Sequence, residues 1–514
     1  MASAISSVLW TLSLAGAGAI FLWALNRAIR APWRKLPYPP GPPPKGIISG
    51  NKDDVSVPWL WRACAEWANT YGNILYFRVS GKPFVVLNSL KDATELLEKR
   101  SNNYSSRPVT PMYNLMGFTN STTLRTYSPE WRRHRRILQQ TFKPESALAY
   151  RPTQADKMHD ALDALLTSPK DFDDHIKTYA GAIILSVTYG YDVAPKDDRL
   201  VFLLEGTRPA FSLGQSPKWL VNTFPFLGYI PSWVPGAGFQ KYAAKMRKVI
   251  MDQRESPFKY ARDNLASGNS RVSVISKFIE SCHSENDVTM LKEVAATGYG
   301  AGVGTTASTI MNFFIAMISF PEVQKKAQEE IDRVVGNDRL PNYNDMASLP
   351  YITAALRETI RWKPLIPLGL AHASKEDDIY QGYFIPKDTT IHDVYWAMTR
   401  DSEKYKDPEV FNPDRFFDEN GELNSDDVGY AFGFGRRICP GRHLGLASVW
   451  LAMATILSTF DIGKNKDSSG KELPLDVTYT DRGLINYPLP FECSITPRSD
   501  KVKDLILEAR GSEA

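Results

Sequence analysis

A mainly α-helical fold with a smaller β-rich region, preceded by a single N-terminal transmembrane helix, is what this sequence predicts. Three observations carry the prediction. Apolar residues recur three and four apart over long stretches, two short alternating runs flank a turn, and an uncharged apolar segment opens the chain.

The opening segment is the first element. Residues 1–26 carry no charged side chain, and the apolar part from Ile5 to Leu25 runs for 21 residues. At helical rise that is about 31 Å, enough to cross a bilayer. Ala15, Ala17 and Ala19 offer the small-residue spacing of a cleaved signal peptide, yet no basic region precedes them and the apolar run is too long for one. The first charges are Arg27, Arg30, Arg34 and Lys35, all on the C-terminal side, so the positive-inside bias places the remainder in the cytosol. Residues 27–50 form a basic and proline-rich linker. Its core, Pro37-Tyr38-Pro39-Pro40-Gly41-Pro42-Pro43-Pro44, has fixed φ angles and few N–H donors. It predicts an extended stand-off spacer rather than a ligand for a proline-recognition module.

Residues 51–514 read as one large unit, because no repeat, low-complexity tract or second linker divides them. Length alone would suggest about three domains, a quotient that single large enzymes often violate. Helical spacing is present at 59–71, 92–100, 130–141, 293–319, 322–335 and 352–362. Ile74-Leu75-Tyr76-Phe77-Arg78-Val79 and Phe84-Val85-Val86-Leu87, separated by Ser80-Gly81-Lys82-Pro83, read as a β-hairpin. Sequons begin at Asn103 and Asn120, but a cytosolic location makes them chance matches.

Composition excludes some functions. With 61 Lys+Arg against 57 Asp+Glu the net charge of +4 is small, which argues against a nucleic-acid-coating protein, and 43% hydrophobic residues exclude disorder. The four cysteines, Cys64, Cys282, Cys439 and Cys493, are widely spaced and form no disulfide framework, in keeping with a reducing compartment. Three of them read as small buried hydrophobes.

The fourth lies in Phe432-Gly433-Phe434-Gly435-Arg436-Arg437-Ile438-Cys439-Pro440-Gly441, which satisfies F-x-x-G-x-R-x-C-x-G throughout. Glycines flanking a cysteine let backbone approach a flat ligand and aim N–H groups at the sulfur, favouring a thiolate, while Arg437 can pair with a carboxylate at the ligand's edge. A lone thiolate without further Cys or His in metal spacing makes a poor zinc site and a suitable axial ligand for haem iron. The run from Leu444 to Ala454 fits a helix beneath the ligand plane. The plainer reading is a glycine-rich turn around a buried cysteine.

On these residues the chain resembles the cytochrome P-450 superfamily of haem-thiolate monooxygenases, over its whole length, and is most like membrane-anchored fungal members of specialised metabolism. The resemblance implies haem b (iron-protoporphyrin IX) with Cys439 on the iron and Phe432, Gly433, Arg437 and Gly441 around it. Glu358 and Arg361 look like the family's E-x-x-R pair, and Phe411-Asn412-Pro413-Asp414-Arg415-Phe416 like its F-x-P-x-R-F element, so Arg415 would complete a buried structural triad. The same spacing at Glu130/Arg133 and Glu330/Arg333 reads as surface pairing. Trp131 and Arg135, on one helix face, would hold a haem propionate, with His372 as a third donor. Arg132, Arg133, Arg136, Arg436 and Arg442 would leave a basic surface for an acidic reductase.

Gly298-Tyr299-Gly300-Ala301-Gly302-Val303-Gly304-Thr305-Thr306 resembles the family's oxygen-activating A-G-x-D/E-T-T segment through Ala301, Gly302, Thr305 and Thr306. Gly304 departs from it, standing where the family has an acid. Three routes then remain for protons: ordered water above Gly304, a substrate hydroxyl, or chemistry that is less coupled or does not oxygenate.

By the same resemblance, a mostly apolar cavity is lined by residues 105–124, 209–234 and 365–370, by Ala301 and Thr305, and by the turn at Leu484 and Ile485. No basic cluster in the sequence demands an acidic substrate. The aromatic and proline-rich stretch from Phe224 to Pro235 reads either as a membrane-resting element or as an internal loop. The leading expectation is an endoplasmic-reticulum-anchored enzyme with a cytosolic catalytic domain. It would insert one oxygen atom from O2 into a lipophilic terpenoid, polyketide or polycyclic or alkaloid aromatic, with electrons from NADPH through NADPH-cytochrome P-450 reductase, with or without cytochrome b5, and with no nucleic-acid partner. The alternatives are a haem-thiolate isomerase or dehydratase needing no external electrons, and a haem-bearing sensor or lipid carrier.

Overall fold

The computed structural model describes residues 36–511 apart from Ile48, Pro217, Arg482 and Gly483. The predicted membrane span at 1–26 and the first part of the basic linker, including Arg27, Arg30, Arg34 and Lys35, lie outside the described residues. The longer helices are α1 (Leu60–Tyr71), α2 (Pro129–Phe142), α3 (Arg151–Thr167), α4 (Phe172–Tyr189), α5 (Arg199–Leu213), α6 (Gly238–Ala266), α7 (Glu285–Ser319), α8 (Pro321–Val334), α9 (Pro350–Trp362), α10 (Arg442–Thr459) and α11 (Asp500–Gly511). The strands are β1 (Ile74–Val79), β2 (Lys82–Leu87), β3 (His372–Ala373), β4 (Asp378–Tyr380), β5 (Tyr383–Ile385), β6 (Thr390–Asp393), β7 (Phe460–Gly463) and β8 (Ser494–Pro497). A mainly α body with a smaller β region is the predicted class.

The hairpin forms with a tighter turn than the sequence suggested. Strand β2 begins at Lys82, leaving Ser80 and Gly81 as a two-residue turn with φ of 50° and 81°. Positive φ at both central residues matches the right-handed twist of the flanking strands. The sheet continues in the order β1-β2-β6-β3, with β2 and β6 parallel and the other pairs antiparallel.

The proline-rich stretch is no free spacer from Pro37 onward. Phe384 N–H donates to the Pro37 carbonyl and Tyr76 N–H to the Pro40 carbonyl, each at 2.8 Å, and Tyr38 stacks on Tyr76 with centroids 4.5 Å apart. Asn51 Nδ2 ties down the Pro42 and Pro43 carbonyls at 3.1 Å. Residues without N–H donors can still accept, and the sheet edge supplies the donors.

The largest core surrounds α7. This helix is long and apolar enough to cross a membrane, yet 67% of its most apolar 18-residue window is buried in protein, so here it is the central core helix. It packs against α4, α10, α9 and α2. Its start lies a little over two turns before the predicted Glu293, because Ser284 caps it by accepting from Asp287 N–H at 3.2 Å.

Two sequence expectations about charged pairs are corrected. Glu330 is buried rather than paired with Arg333 on the surface: its carboxylate accepts Tyr351 N–H and Ile352 N–H at 2.9 to 3.2 Å and so caps α9. Arg133 reaches Asp287 at 2.5 Å, across to α7, rather than Glu130 on its own helix. Of the three cysteines read as buried, Cys64 and Cys493 are, while Cys282 is half-exposed with its thiol on the Phe278 carbonyl.

Candidate active site

The cysteine loop is built by hydrogen bonds within a few residues. Two short turns, Gly429–Phe432 and Gly435–Arg437, bring the Cys439 N–H onto the Phe432 carbonyl at 2.7 Å. Gly433 and Gly435 have φ of 89° and 51°. A Cβ on Gly435 would lie 2.6 Å from the Leu97 carbonyl oxygen, so this position admits only glycine. Cys439 lies three residues before the first helical residue of α10, Arg442, where the helix N-terminus favours negative charge. Burial pushes its thiol up; the backbone N–H groups of Gly441 and Arg442 and the charges of Arg135 and Arg442 oppose that shift.

Beside the loop, three arginines are buried. Arg437 donates to the backbone carbonyls of Ser105 at 2.7 Å and Arg125 at 2.8 Å, and lies 4.1 Å over the ring of Trp131. Arg135 donates to the Ile438 carbonyl at 2.5 Å, while its Nε is buried with no partner. Arg107 holds the carbonyls of Thr123, Leu370 and Ala371. Burial lowers Arg437 to about 8 and Arg107 and Arg135 to about 10. Among the described residues no carboxylate forms an ion pair with any of the three, although the charge of Asp393 acts on Arg107. Buried guanidiniums without counter-ions fit a ligand bearing carboxylates. The Cβ positions of Gly441 and Gly445 meet nothing within 4 Å, leaving room for a flat group. Together with the thiolate geometry, these residues fit haem.

Two predicted propionate partners hold other partners here. Trp131 donates its indole N–H to the Thr122 carbonyl at 3.2 Å, so it supports Arg437 from below through its ring. His372 bonds through Nδ1 to the Tyr104 carbonyl at 2.8 Å. A carbonyl can only accept, so Nδ1 carries the proton, and burial together with Arg107 holds the ring well below its ordinary pKa, in the neutral form. Nε2 is then an acceptor, not a donor.

The structural triad forms as expected. Glu358 and Arg361 are fully buried and bidentate, at 2.6 and 2.7 Å, and Arg415 Nε joins at 3.2 Å. Asn412 N–H adds a fourth bond to Glu358, and Arg361 also donates to the carbonyls of Thr399 and Pro408. Every lone pair and N–H that burial would otherwise strand is thereby met.

On α7 the glycine-rich segment is continuous helix. Thr305 Oγ donates to the Ala301 carbonyl at 2.7 Å and Thr309 Oγ to the Thr305 carbonyl at 2.9 Å. Gly302 serves packing: a Cβ there would come within 2.7 Å of Ile184 on α4. Gly304 faces the cavity, and a Cβ there would sit 3.7 Å from Arg208 Nη2. Thr306 is partly buried on the flank of the same turn.

Ala301, Gly304 and Thr305 line a cavity of about 190 Å³ with Phe118, Leu204, Phe211, Ile250, Ile366, Leu370 and Ile485. The wall also carries charge that the sequence did not announce, from Arg208, Arg254 and Glu293. Glu293 pairs with Arg125 at 2.9 Å and lies 3.5 Å from His134 Nε2; burial raises its carboxyl. Arg254 pairs with Glu255 at 2.9 Å. A second cavity of about 240 Å³ shares Phe118 and Leu370 and reaches Arg107 and Arg125. None of these charged residues belongs to a motif, so the sequence held no signal for them. Of the expected lining, Leu484 and all of 209–234 except Phe211 do not reach this cavity, and of 105–124 only residues from Gly117 onward do.

The family model described as Cytochrome P450 matches residues 39–483. Cytochrome P450 monooxygenase COX1 of Coprinopsis cinerea is 40% identical over 489 residues, covering 92% of this chain and 94% of its own. Cytochrome P450 monooxygenase 176 of Postia placenta is 38% identical over 509 residues, covering 96% and 97%. Cytochrome P450 monooxygenase ple1 of Rhodocybe pseudopiperita is 38% identical over 483 residues, covering 92% of each.

Proposed function

The chain belongs to the cytochrome P450 family and is by that membership a monooxygenase, and on this premise we propose that it inserts one oxygen atom from O2 into a lipophilic small molecule with electrons from NADPH delivered by a reductase. The observation that carries the reading is the Cys439 sulfur set under two backbone N–H groups beside buried Arg135 and Arg437, with which no carboxylate among the described residues forms an ion pair. Haem, held by Cys439 with Arg135 and Arg437 placed for its carboxylates, supplies oxygen activation when bound.

The chain's own residues do the rest. The N–H groups of Gly441 and Arg442 favour the thiolate over the thiol. Thr305 is anchored through its hydroxyl to the Ala301 carbonyl and keeps its acceptor lone pairs at the cavity surface, where they can order water or substrate. Phe118, Ile366 and Leu370 exclude bulk water from the lipophilic part of the substrate.

Anchoring in the endoplasmic reticulum through residues 1–26, with residues 51–514 as a cytosolic catalytic domain, is part of the same proposal. Its support is an exposed aromatic group at Phe226, Tyr229 and Trp233, 65%, 91% and 79% exposed, which suits a membrane surface. Exposed Arg132, Arg136 and Arg436 suit an acidic NADPH-cytochrome P450 reductase, with or without cytochrome b5. Terpenoid, polyketide and polycyclic aromatic skeletons fit the apolar part of the cavity.

The test is the absorption spectrum of the reduced, CO-bound protein in membranes, followed by NADPH consumption and product analysis with a reductase. A far-red-shifted Soret band and NADPH-dependent hydroxylated product are expected. Absence of the band in folded, haem-loaded protein would overturn the assignment of Cys439. A second reading, an isomerase or dehydratase on the same thiolate site, draws its support from Gly304 and predicts product without NADPH.

A further inference from the structure

We propose that the substrate is already oxygenated: it carries a hydroxyl that donates to Gln253 Oε1, with Glu293 Oε1 as the next acceptor, in the part of the cavity that precedes Thr305 along α7. The proposal rests on the monooxygenase reading and narrows the substrate class within it.

Protons are scarce on the wall formed by α5, α6 and α7. Thr207 donates its hydroxyl to the Leu204 carbonyl at 2.8 Å, Thr297 to the Glu293 carbonyl at 2.8 Å and Thr305 to the Ala301 carbonyl at 2.7 Å, so these three lining residues keep only lone pairs for the cavity. Gln253 on α6 lines the same cavity and is 6% exposed. Its Nε2 donates to the Ala296 carbonyl at 3.3 Å. Only a donor can stand against a carbonyl, so Oε1 is the atom left over, and it accepts no hydrogen bond among the described residues. Glu293, 7% exposed, is in the same position. Its Oε2 takes Arg125 Nη2 at 2.9 Å and lies 3.5 Å from His134 Nε2, while Oε1 accepts nothing among the described residues. A buried acceptor without a donor is costly, and two of them on one cavity wall mark a place where the ligand brings the proton.

An alcohol answers this wall better than an ion does. A carboxylate would meet lone pairs. A cation is not called for, because Arg125 already neutralises Glu293 and the charges of Arg254 and Lys292 also act on it. The cations of the wall are engaged, Arg254 with Glu255 at 2.9 Å and Arg208 over the ring of Tyr487 at 4.5 Å. The hydrocarbon of the substrate then rests on Leu204, Phe211 and Ile366. A site made to receive a hydroxyl proton rejects an analogue without one, since its acceptors are left unmatched.

Spacing along α7 relates the alcohol to the reacting carbon. A Cβ on Gly300 would be 3.2 Å from Gln253 Nε2, so Gln253 lies against Gly300. That glycine precedes Thr305 by five residues, about 7.5 Å along the helix axis. The hydroxyl and the oxidised carbon therefore stand on opposite sides of a fused-ring skeleton. An enzyme built this way works after a step that installs an alcohol, either a hydroxylation or a cyclisation that ends by capture of water.

The experiment titrates the haem-loaded, full-length protein in detergent with matched alcohol, methyl ether and hydrocarbon: cedrol, cedryl methyl ether and cedrane, and dehydroabietinol, its methyl ether and dehydroabietane. The ether keeps the oxygen and loses the proton, and the hydrocarbon controls for the bulk of the added methyl. Binding is followed by the substrate-induced Soret shift and by calorimetry, after the reduced CO spectrum has verified the thiolate-ligated haem. At least one alcohol is expected to bind about 5- to 30-fold more tightly than its ether and its hydrocarbon. Gln253→Met, close to the native side chain in shape, is expected to bring that ratio near one. Glu293→Gln, which exchanges a charged acceptor for a neutral one, is expected to lower it by about 2- to 3-fold. Failure of both alcohols to bind, equal binding of alcohol and either analogue, or a ratio unchanged in either variant would overturn the proposal. Those results with a normal CO spectrum leave the monooxygenase reading standing; an absent thiolate band would instead remove the reading beneath it.

Discussion

The thiolate side of the site and the cavity side are made in different ways. Around Cys439 the loop is closed by short-range bonds, with Phe432 accepting from Cys439 and the sulfur three residues before α10, and Gly435 lets it pack against the distant backbone of Leu97. The structural triad adds Asn412 and Arg415 to a bidentate pair one helical turn apart. The cavity side brings together α5, α6, α7 and the segments at 117–123, 366–370 and 485. On the first side most polar groups have a fixed partner, some within the motif and some, as for Arg437 on Ser105 and Arg125, far along the chain; on the second, what matters is which side chain from a remote helix faces a gap. The thiolate side is therefore specified by residue type, and the cavity side by packing.

If that contrast is right, substitutions on the thiolate side should abolish function or folding, and those on the cavity side should tune it. The largest effect is expected from Cys439→Ser, with complete loss of the thiolate CO band and of NADPH-dependent product in a protein that still folds by circular dichroism. Next comes Arg361→Ala. It leaves Glu358 buried and short of its bidentate partner, which should destabilise the protein by about 3 to 5 kcal/mol, read from denaturant unfolding or from loss of soluble protein on expression. Gly302→Ala tests whether the glycine segment of α7 also serves packing. The added methyl meets Ile184 at 2.7 Å, so a loss of about 1 to 3 kcal/mol is expected, and the double variant Gly302→Ala with Ile184→Ala should lose less than the sum of the two single losses. A fully additive pair would break the contact argument.

Thr305→Ala should act more gently, lowering product formed per NADPH by about 2- to 10-fold with the CO band intact, as expected for loss of one hydroxyl that orders a cavity group. Unchanged coupling would remove Thr305 from the reaction. Smallest of all, Arg436→Glu should raise the reductase concentration needed for half-maximal turnover by about 2- to 5-fold at low salt and less at high salt. An effect independent of ionic strength would assign Arg436 a structural role through its 2.5 Å bond to Tyr127 instead.

How much was legible follows the same division. The helices α1, α2, α8 and α9 show in the sequence because each has a half-buried face that leaves an apolar stripe, and α7 shows through the length of its apolar run. Helix α4 is buried on nearly all sides and has no stripe to find. Helices α5 and α6 contain Pro209 and Pro257, which sequence reasoning takes as boundaries. Glu330 illustrates the limit for charges. Its spacing to Arg333 is that of a surface pair, but the chain turns after α8 so that the N-terminus of α9 presents its orphan N–H groups to Glu330, which no spacing rule can foresee.

By itself the sequence determined the cysteine loop and the hairpin, because each rests on hydrogen bonds or backbone geometry encoded in a short run of residue types, whereas the Glu358-Arg361-Arg415 triad and the departure at Gly304 were legible only through the family resemblance. Only the tertiary structure decided that Trp131 supports Arg437 through its ring, that His372 offers an acceptor, that Gly302 packs on Ile184, and that Arg208 borders Gly304. Those outcomes depend on how whole helices pack. The burial energy that sets a helix's position is summed over many side chains and carries no mark at the residues it happens to bring together.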